Sequence, residues 1–385
     1  MQITRVNLKN WRNFRMLDAH LRDVTYVLGA NASGKSNLLD AFRFLKDVSK
    51  PTGGGLQAAV KGRGGISKLR CLHARRDPEV CIDVSLSESP DDQAPNWRYV
   101  LGFKPEGKGA QRILISKEEV WCKGKQLFAR PDAEDKRDAM LLTQTRLEQI
   151  LANAKFRELA EFFGSITYLH LVPQLLKYAD QLGGRILEND PFGQGFLDRI
   201  AKTPEKTRNG RLKKISEALA FAVPQFKELR FSKDESGHPH LEARYAHYRP
   251  NAGWQSEEHF SDGTLRLLGL LWSFLDGSSM LLLEEPEISL NDAVVKEIPR
   301  IIQKMQRSKK QKKRQIIIST HREALLSNPG IDGHGVIVLE PSTNGTTARA
   351  LQAEETTALE AGLSVAEVVL PKTRPAFANQ LGLWE

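Results

Sequence analysis

Val24-Thr25-Tyr26-Val27-Leu28-Gly29-Ala30-Asn31-Ala32-Ser33-Gly34-Lys35-Ser36-Asn37-Leu38-Leu39 is the stretch that decides the fold. Its first five residues are a short apolar, β-prone run. Gly29 to Ser36 then match G-x-x-x-x-G-K-S in full. From Lys35 to Lys46, Leu38, Leu39, Phe42 and Leu45 fall on one helical face. A strand, a glycine-bearing loop and a helix in this order form a phosphate cradle. The glycines let backbone N–H groups turn inward around a β-phosphate, and the helix N-terminus adds its positive end. Lys35 is expected to reach the β- and γ-phosphates of ATP, and the Ser36 hydroxyl to ligate Mg²⁺. Gly29, Asn31, Gly34, Lys35, Ser36 and Asn37 are therefore the candidate ATP-binding residues on this loop. The alternative is a glycine-rich turn with an incidental lysine, and the flanking strand and helix argue against it.

A second apolar run, Met280-Leu281-Leu282-Leu283, ends in Glu284-Glu285-Pro286-Glu287. Acids at the C-terminal edge of a buried strand stand where ligands bind in open α/β sheets. Glu284 is the expected metal residue, acting through the water shell of Mg²⁺. Glu285 is the expected catalytic residue, placed to position or deprotonate an attacking water. A strand ending in solvated acids is the plainer reading. A third run, Gln315-Ile316-Ile317-Ile318-Ser319-Thr320-His321, ends in a histidine able to donate to a γ-phosphate oxygen, which makes His321 a candidate sensor. Phe260-Ser261-Asp262-Gly263-Thr264 precedes the apolar helix LRLLGLLWSFL. Ser261 and Gly263 at a helix start read either as a simple N-cap or as an anion site.

Between these motifs the period changes. From about residue 80 to 130, CIDVSLS, WRYVLGF, RILISKEEVW and QLFAR alternate as antiparallel strands do. From about 133 to 222 the pattern is mostly helical, clearest in LEQILANAKFRELAEFF. The glycine-rich residues 51–65 read as a loop, a helix is expected over about 291–306, and VIVLE with TTARAL resembles a closing hairpin. No sustained heptads are present. The chain divides by pattern into 1–78, an antiparallel β lobe over 79–132, a helical insertion over 133–225, and 226–385.

Taken in order, the P-loop, the SDG signature, LLLEEPE and STH resemble the ABC-type ATPases of the RecF, SMC and OLD-like group, to which small AAA-domain proteins of anti-phage operons belong. Asn10-Trp11-Arg12-Asn13-Phe14 is similar to a motif near the start of RecF-like proteins. The resemblance implies an α/β P-loop NTPase of the ABC-ATPase type with an antiparallel β lobe and a helical insertion. It also implies a homodimer that sandwiches two ATP molecules, with Ser261 and Gly263 of one chain closing on the nucleotide held by Lys35 of the other. Ser289-Leu290-Asn291-Asp292 falls at the family's D-loop, and Arg63 at its arginine loop, which touches DNA or phosphate. The sequence departs from the family in three places. The first Walker B acid is Glu284 rather than Asp. No Q-loop glutamine stands out, with Gln144 the candidate metal ligand. About sixty residues follow His321, too few for a TOPRIM nuclease and without a D-x-D pair. The nuclease or toxin activity of such a system is therefore expected on a separate effector encoded nearby.

The bulk composition fits this reading. The chain has 385 residues, 40% hydrophobic and 27% charged, as expected of a soluble globular protein with one large or two ordinary domains. No run approaches the ~20 apolar residues of a membrane helix, and the first residues lack a signal-peptide core. Cys71, Cys81 and Cys122 form no metal pattern, which points to a reducing cytoplasm. The net charge of +9 favours polyanion partners such as DNA. The basic run Arg307 to Arg314, with Lys309, Lys310, Lys312 and Lys313, reads as a solvated loop or as a phosphate-backbone contact. Three functions remain open: a nucleotide-driven switch for a defence effector, which the compact chain favours; a RecF-like repair ATPase that binds DNA itself; and an ATP-dependent scaffold, against which the intact Glu285 argues. An oligomer larger than the dimer stays open for all three.

Overall fold

The computed structural model describes residues 1–74, 76–107, 112–178, 193–246, 253–277, 279–307 and 313–373. They form two compact units, Met1–Thr167 with Ser279–Leu282 and Arg314–Glu385, and Tyr168–Ser278 with Leu283–Lys313.

The first unit opens with β1 (Gln2–Trp11) and β2 (Phe14–His20), which pair antiparallel and join β4 (Val80–Ser87), β5 (Trp97–Pro105), β6 (Ile113–Cys122) and β7 (Lys125–Arg130) in one sheet of order β2-β1-β4-β5-β6-β7. Alternation puts Val6 and Leu8 of β1, and Val80, Ile82 and Val84 of β4, inside, and Ile3 is buried as well across a register shift between Ile3 and Arg5. Because β1 pairs with β4, the division by pattern at 78/79 falls within a single sheet. The P-loop strand β3 (Val24–Leu28) lies in a second sheet, between β13 (Ile316–Ser319) and β14 (Val336–Ser342), and is parallel to both. That sheet has the order β15-β14-β3-β13-β12-β8, where β15 is Gly345–Arg349, β12 is Leu281–Glu284 and β8 is Thr167–Leu169. Leu281 to Leu283 and Ile316 to Ile318 are completely buried, as strands covered on both faces must be. The expected hairpin is β14–β15, antiparallel.

The helix Lys35–Ser49 buries Leu38, Leu39, Phe42 and Leu45, and Phe44 stands between Trp11 of β1 and Phe103 of β5, with ring centroids 5.2 and 5.3 Å away. Two expectations for this unit fail. The glycine-rich stretch 51–65 contains a helix, Gly55–Lys61, because its middle is LQAAV and its glycines stand at the ends, where Gly62 N–H closes on Ala58 O. In LEQILANAKFRELAEFF only Arg157–Ser165 is a regular helix. Upstream, Thr145 Oγ1 accepts from Glu148 N–H at 3.2 Å and Asn153 Nδ2 donates to Leu147 O at 2.9 Å, so side chains draw the backbone into turns.

The second unit holds the antiparallel sheet β11-β10-β9, from Gln255–Ser256, Pro239–Tyr245 and Phe226–Lys233. The helix Asp262–Leu275 begins where the sequence places it, capped by Ser261. The helix expected over 291–306 is two pieces, Asp292–Val295 and Ile298–Gln306, because Pro299 lacks the N–H that would continue the first. Among the described residues no helix is long and apolar enough to cross a membrane.

Candidate functional site

The phosphate loop is held by residues far from it in sequence. After β3 the chain turns through Ala32 at φ 63° and Gly34 at φ 100°. A Cβ at Gly34 would lie 2.3 Å from Asn13 Nδ2, so only glycine fits there. Asn13 Nδ2 donates to Ser33 O at 2.9 Å and to Thr346 Oγ1 at 2.8 Å, and Asn13 Oδ1 accepts from Asn37 Nδ2 at 2.8 Å. Trp11 Nε1 donates to Asn37 O at 2.7 Å, and Arg12 pairs with Asp40 at 2.9 Å. The segment noticed for its similarity to a RecF-like motif is thus the brace of the loop. Asn37, expected on the nucleotide, instead turns its side chain to Asn13.

Lys35 is 7% exposed and its Nζ donates to Gly29 O at 3.0 Å and Ala30 O at 3.2 Å. Gly34 is the N-cap of this helix and, having no side chain, contributes no cap hydrogen bond of its own. Ser33 Oγ is buried with no hydrogen-bond partner among the described residues, while Asn31 and Ser36 are exposed. A helix start behind a glycine turn, a buried lysine lying over loop carbonyls and an unsatisfied buried hydroxyl fit a polyphosphate. His321 follows the neighbouring strand. Ser319 is opposite Val27 in the parallel register, and Thr320 N–H donates to Val27 O at 3.2 Å. β3 and β13 therefore leave the sheet at the same edge, and His321 is exposed just beyond it.

The acids and the signature belong to the second unit. Glu284 and Glu285 are half-buried, and Glu285 sits at φ 42°, a conformation an L-residue adopts at a cost of order 1–3 kcal/mol. Tyr168 Oη donates to Glu284 Oε2 at 2.6 Å, and His170 Nδ1 lies 3.4 Å from Glu284 O. Ser261 Oγ accepts from Thr264 N at 3.1 Å, the geometry of an N-cap. Asp262 accepts from Gln174 Nε2 at 2.6 Å and Lys177 Nζ at 2.8 Å. A Cβ at Gly263 would meet Ser289 O at 2.6 Å, so the D-loop carbonyl rests directly on the signature glycine. Sequence reasoning missed Tyr168, His170, Gln174 and Lys177. Tyr168 comes from a three-residue strand, His170 from the residue just after it, and Gln174 and Lys177 from a five-residue helix, all too short to show a period.

Other candidates lie elsewhere. Arg63 is not a phosphate contact: its side chain is 9% exposed and pairs with Asp40 and Asp47, both at 2.9 Å, above the Phe44 ring. Gln144 is exposed, and its Oε1 accepts from Gln149 at 3.1 Å. Lys309, Lys310 and Lys312 lie outside the described residues, and Lys313 is exposed.

A braced phosphate loop and a switch strand side by side in one sheet, with a signature helix and paired acids after a buried strand, define a P-loop ATPase of the ABC type, similar to RecF and SMC. The chain belongs to the AAA-domain family described as putative AbiEii toxin, type IV TA system, whose model matches residues 24–327. Over 102 residues it is 28% identical to the DNA replication and repair protein RecF of Roseiflexus castenholzii. That match covers 24% of this chain and 26% of RecF, so the chain spans about a quarter of that relative's length. Among solved structures it is similar to an SMC head bound to the C-winged helix domain of ScpA, at TM-score 0.55 and 18% identity over 92% of this chain and 99% of that one. An Smc head with an extended coiled coil from Pyrococcus furiosus, bound to the C-terminal domain of ScpA, superposes at TM-score 0.52 and 15% identity, covering 93% of this chain and 98% of that one. These structures share the fold.

Proposed function

We propose that this protein binds and hydrolyses ATP with Mg²⁺, closes into an ATP-sandwich homodimer, and acts in the cytoplasm as a nucleotide-driven switch on a separate effector in anti-phage defence. The braced phosphate loop carries this reading: Asn13, Trp11 and Asn37 hold in advance a cradle whose glycine turn and buried, unsatisfied Ser33 hydroxyl suit a polyphosphate. In it Lys35 leaves the loop carbonyls for the β- and γ-phosphates, and Ser36 offers its hydroxyl to Mg²⁺. Mg²⁺ keeps most of its water and takes few protein ligands when it arrives with a nucleotide, and a serine hydroxyl with one carboxylate is a donor set of that kind. Glu284 orients that water shell, Glu285 takes the proton of the attacking water, and His321 senses the γ-phosphate. The family description, which names a toxin system, supports the defence role.

The dimer is tested by complementation. Ser261→Arg should leave monomer ATP affinity nearly intact while blocking closure, and Lys35→Ala should abolish nucleotide binding. Mixing the two dead variants places both lesions in one of two sites and leaves the other whole, so partial ATPase activity should return. No recovery, with mixed dimers shown by light scattering, overturns the shared site.

The RecF similarity and the net charge of +9 favour a second reading, a repair ATPase that binds DNA directly. Duplex-stimulated turnover would select it. Replacing Lys309, Lys310, Lys312 and Lys313 with Gln should then flatten the salt slope by roughly one unit per lost phosphate contact.

A further inference from the structure

Glu284 stands where the family more often has aspartate. The extra methylene adds a rotatable bond and lengthens the reach of the carboxylate, so a metal-orienting role needs a restraint that aspartate would not. The structure contains one. Tyr168 Oη donates to Glu284 Oε2 at 2.6 Å, within the range of charge-assisted O–H···O⁻ bonds. The position of Tyr168 is itself fixed: Thr167 N–H, one residue before it, donates to Met280 O at 2.9 Å, which sets β8 in register with the strand that carries Glu284. His170, two residues on, reaches the Glu284 backbone carbonyl through Nδ1. Side chain and main chain of the acid are thus both held from one short strand.

We infer that Tyr168 is a positioning residue for Glu284, fixing the carboxylate rotamer that orients the water shell of nucleotide-borne Mg²⁺. The inference rests on the ATPase reading of Glu284. Tyr168 acts through the acid, by its hydrogen bond to Glu284 Oε2. A positioning role of this kind depends on carboxylate length. With aspartate at 284 the carboxylate is drawn back by one methylene from the Tyr168 hydroxyl, and the tyrosine loses its effect.

The test uses the full chain in four forms: wild type, Tyr168→Phe, Glu284→Asp and the double variant, with Glu284→Gln as control. The readout is the apparent Mg²⁺ dissociation constant in the presence of a saturating non-hydrolysable ATP analogue, with thermal midpoints alongside. Tyr168→Phe should weaken Mg²⁺ binding by roughly 10-fold or more, the range one hydrogen bond to a charged group carries. In the Glu284→Asp background the same change should have no effect. A general loss of folding from Tyr168→Phe would appear in both backgrounds, so the comparison between them isolates the positioning role. Unchanged Mg²⁺ binding in Tyr168→Phe, or an equal loss in both backgrounds, overturns the inference while Glu284→Gln still weakens the metal. If Glu284→Gln itself leaves Mg²⁺ binding intact, the metal role of Glu284 falls, and the inference with it.

Discussion

The phosphate loop and the signature loop are both short glycine-bearing turns at a helix start, yet they are held in opposite ways. The phosphate loop is gripped from a distance: Asn13 reaches Ser33, Asn37 and Thr346, the last 333 residues away in sequence. The signature serine is held by its own helix, with Oγ on Thr264, and its neighbour Asp262 by Gln174 and Lys177. A cradle braced by remote parts of the chain is formed before any ligand arrives, which lowers the ordering cost of binding. A locally capped serine has its hydroxyl engaged with its own helix until another surface meets it. If the proposed roles hold, ATP affinity should depend mainly on the first unit and turnover mainly on the second.

The largest effect that would break this comparison is the loss of Lys35. Lys35→Ala removes a buried charge from the cradle, and ATP affinity by calorimetry should fall by ~10²-fold or more, as expected for a charge-assisted contact to phosphate. Unchanged affinity would remove the P-loop reading altogether.

A paired experiment sharpens the contrast. Asn13→Ala strips the brace from Ser33 and Asn37, and ATP affinity should drop by roughly 10- to 100-fold, the equivalent of about 1–3 kcal/mol for partners left unsatisfied. Gly263→Ala forces a methyl toward Ser289 O, and should leave ATP affinity unchanged while turnover falls by ~10-fold or more through a displaced signature. If Gly263→Ala weakened ATP binding as much as Asn13→Ala does, the division of labour would be wrong.

The smallest expected effect concerns how the first unit fastens its glycine-rich helix. Glu148 accepts from Thr145 N–H, and burial, set against hydrogen bonds from the Thr145 and Leu56 N–H groups, pushes its carboxyl up to about 7. A raised carboxyl favours the neutral form in the folded state. Its contribution is complete below the ordinary glutamate range and is lost as pH rises through about 7. Glu148→Gln keeps an acceptor without the charge, so it should raise the thermal midpoint by roughly 2–5 °C at pH 8 and change it little at pH 4. An equal gain at both pH values would show that charge is not the cause.

The sequence by itself determined the family motifs and most of the framework. Gly29 to Ser36, the run ending in Glu284 and Glu285, the run ending in His321, and the N-cap Ser261 are all local signals: each is complete within about ten residues, because a helix start, a buried strand and a phosphate cradle are built from neighbours in the chain. The alternation from 80 to 130 likewise announced antiparallel strands. Tertiary structure alone decided what holds these parts. That Asn13 braces the loop, that Tyr168 reaches an acid 116 residues later, that Arg63 is spent on Asp40 and Asp47, and that β1 joins the lobe sheet all follow from pairings between residues far apart in sequence. The same holds at 51–65, where glycine-rich composition misled, and at 147–156, where periodicity did. There, capping glycines and the side chains of Thr145, Glu148 and Asn153 set the backbone against its pattern. A hydrogen bond between distant residues leaves no period in the sequence, and only the folded chain brings its two ends together.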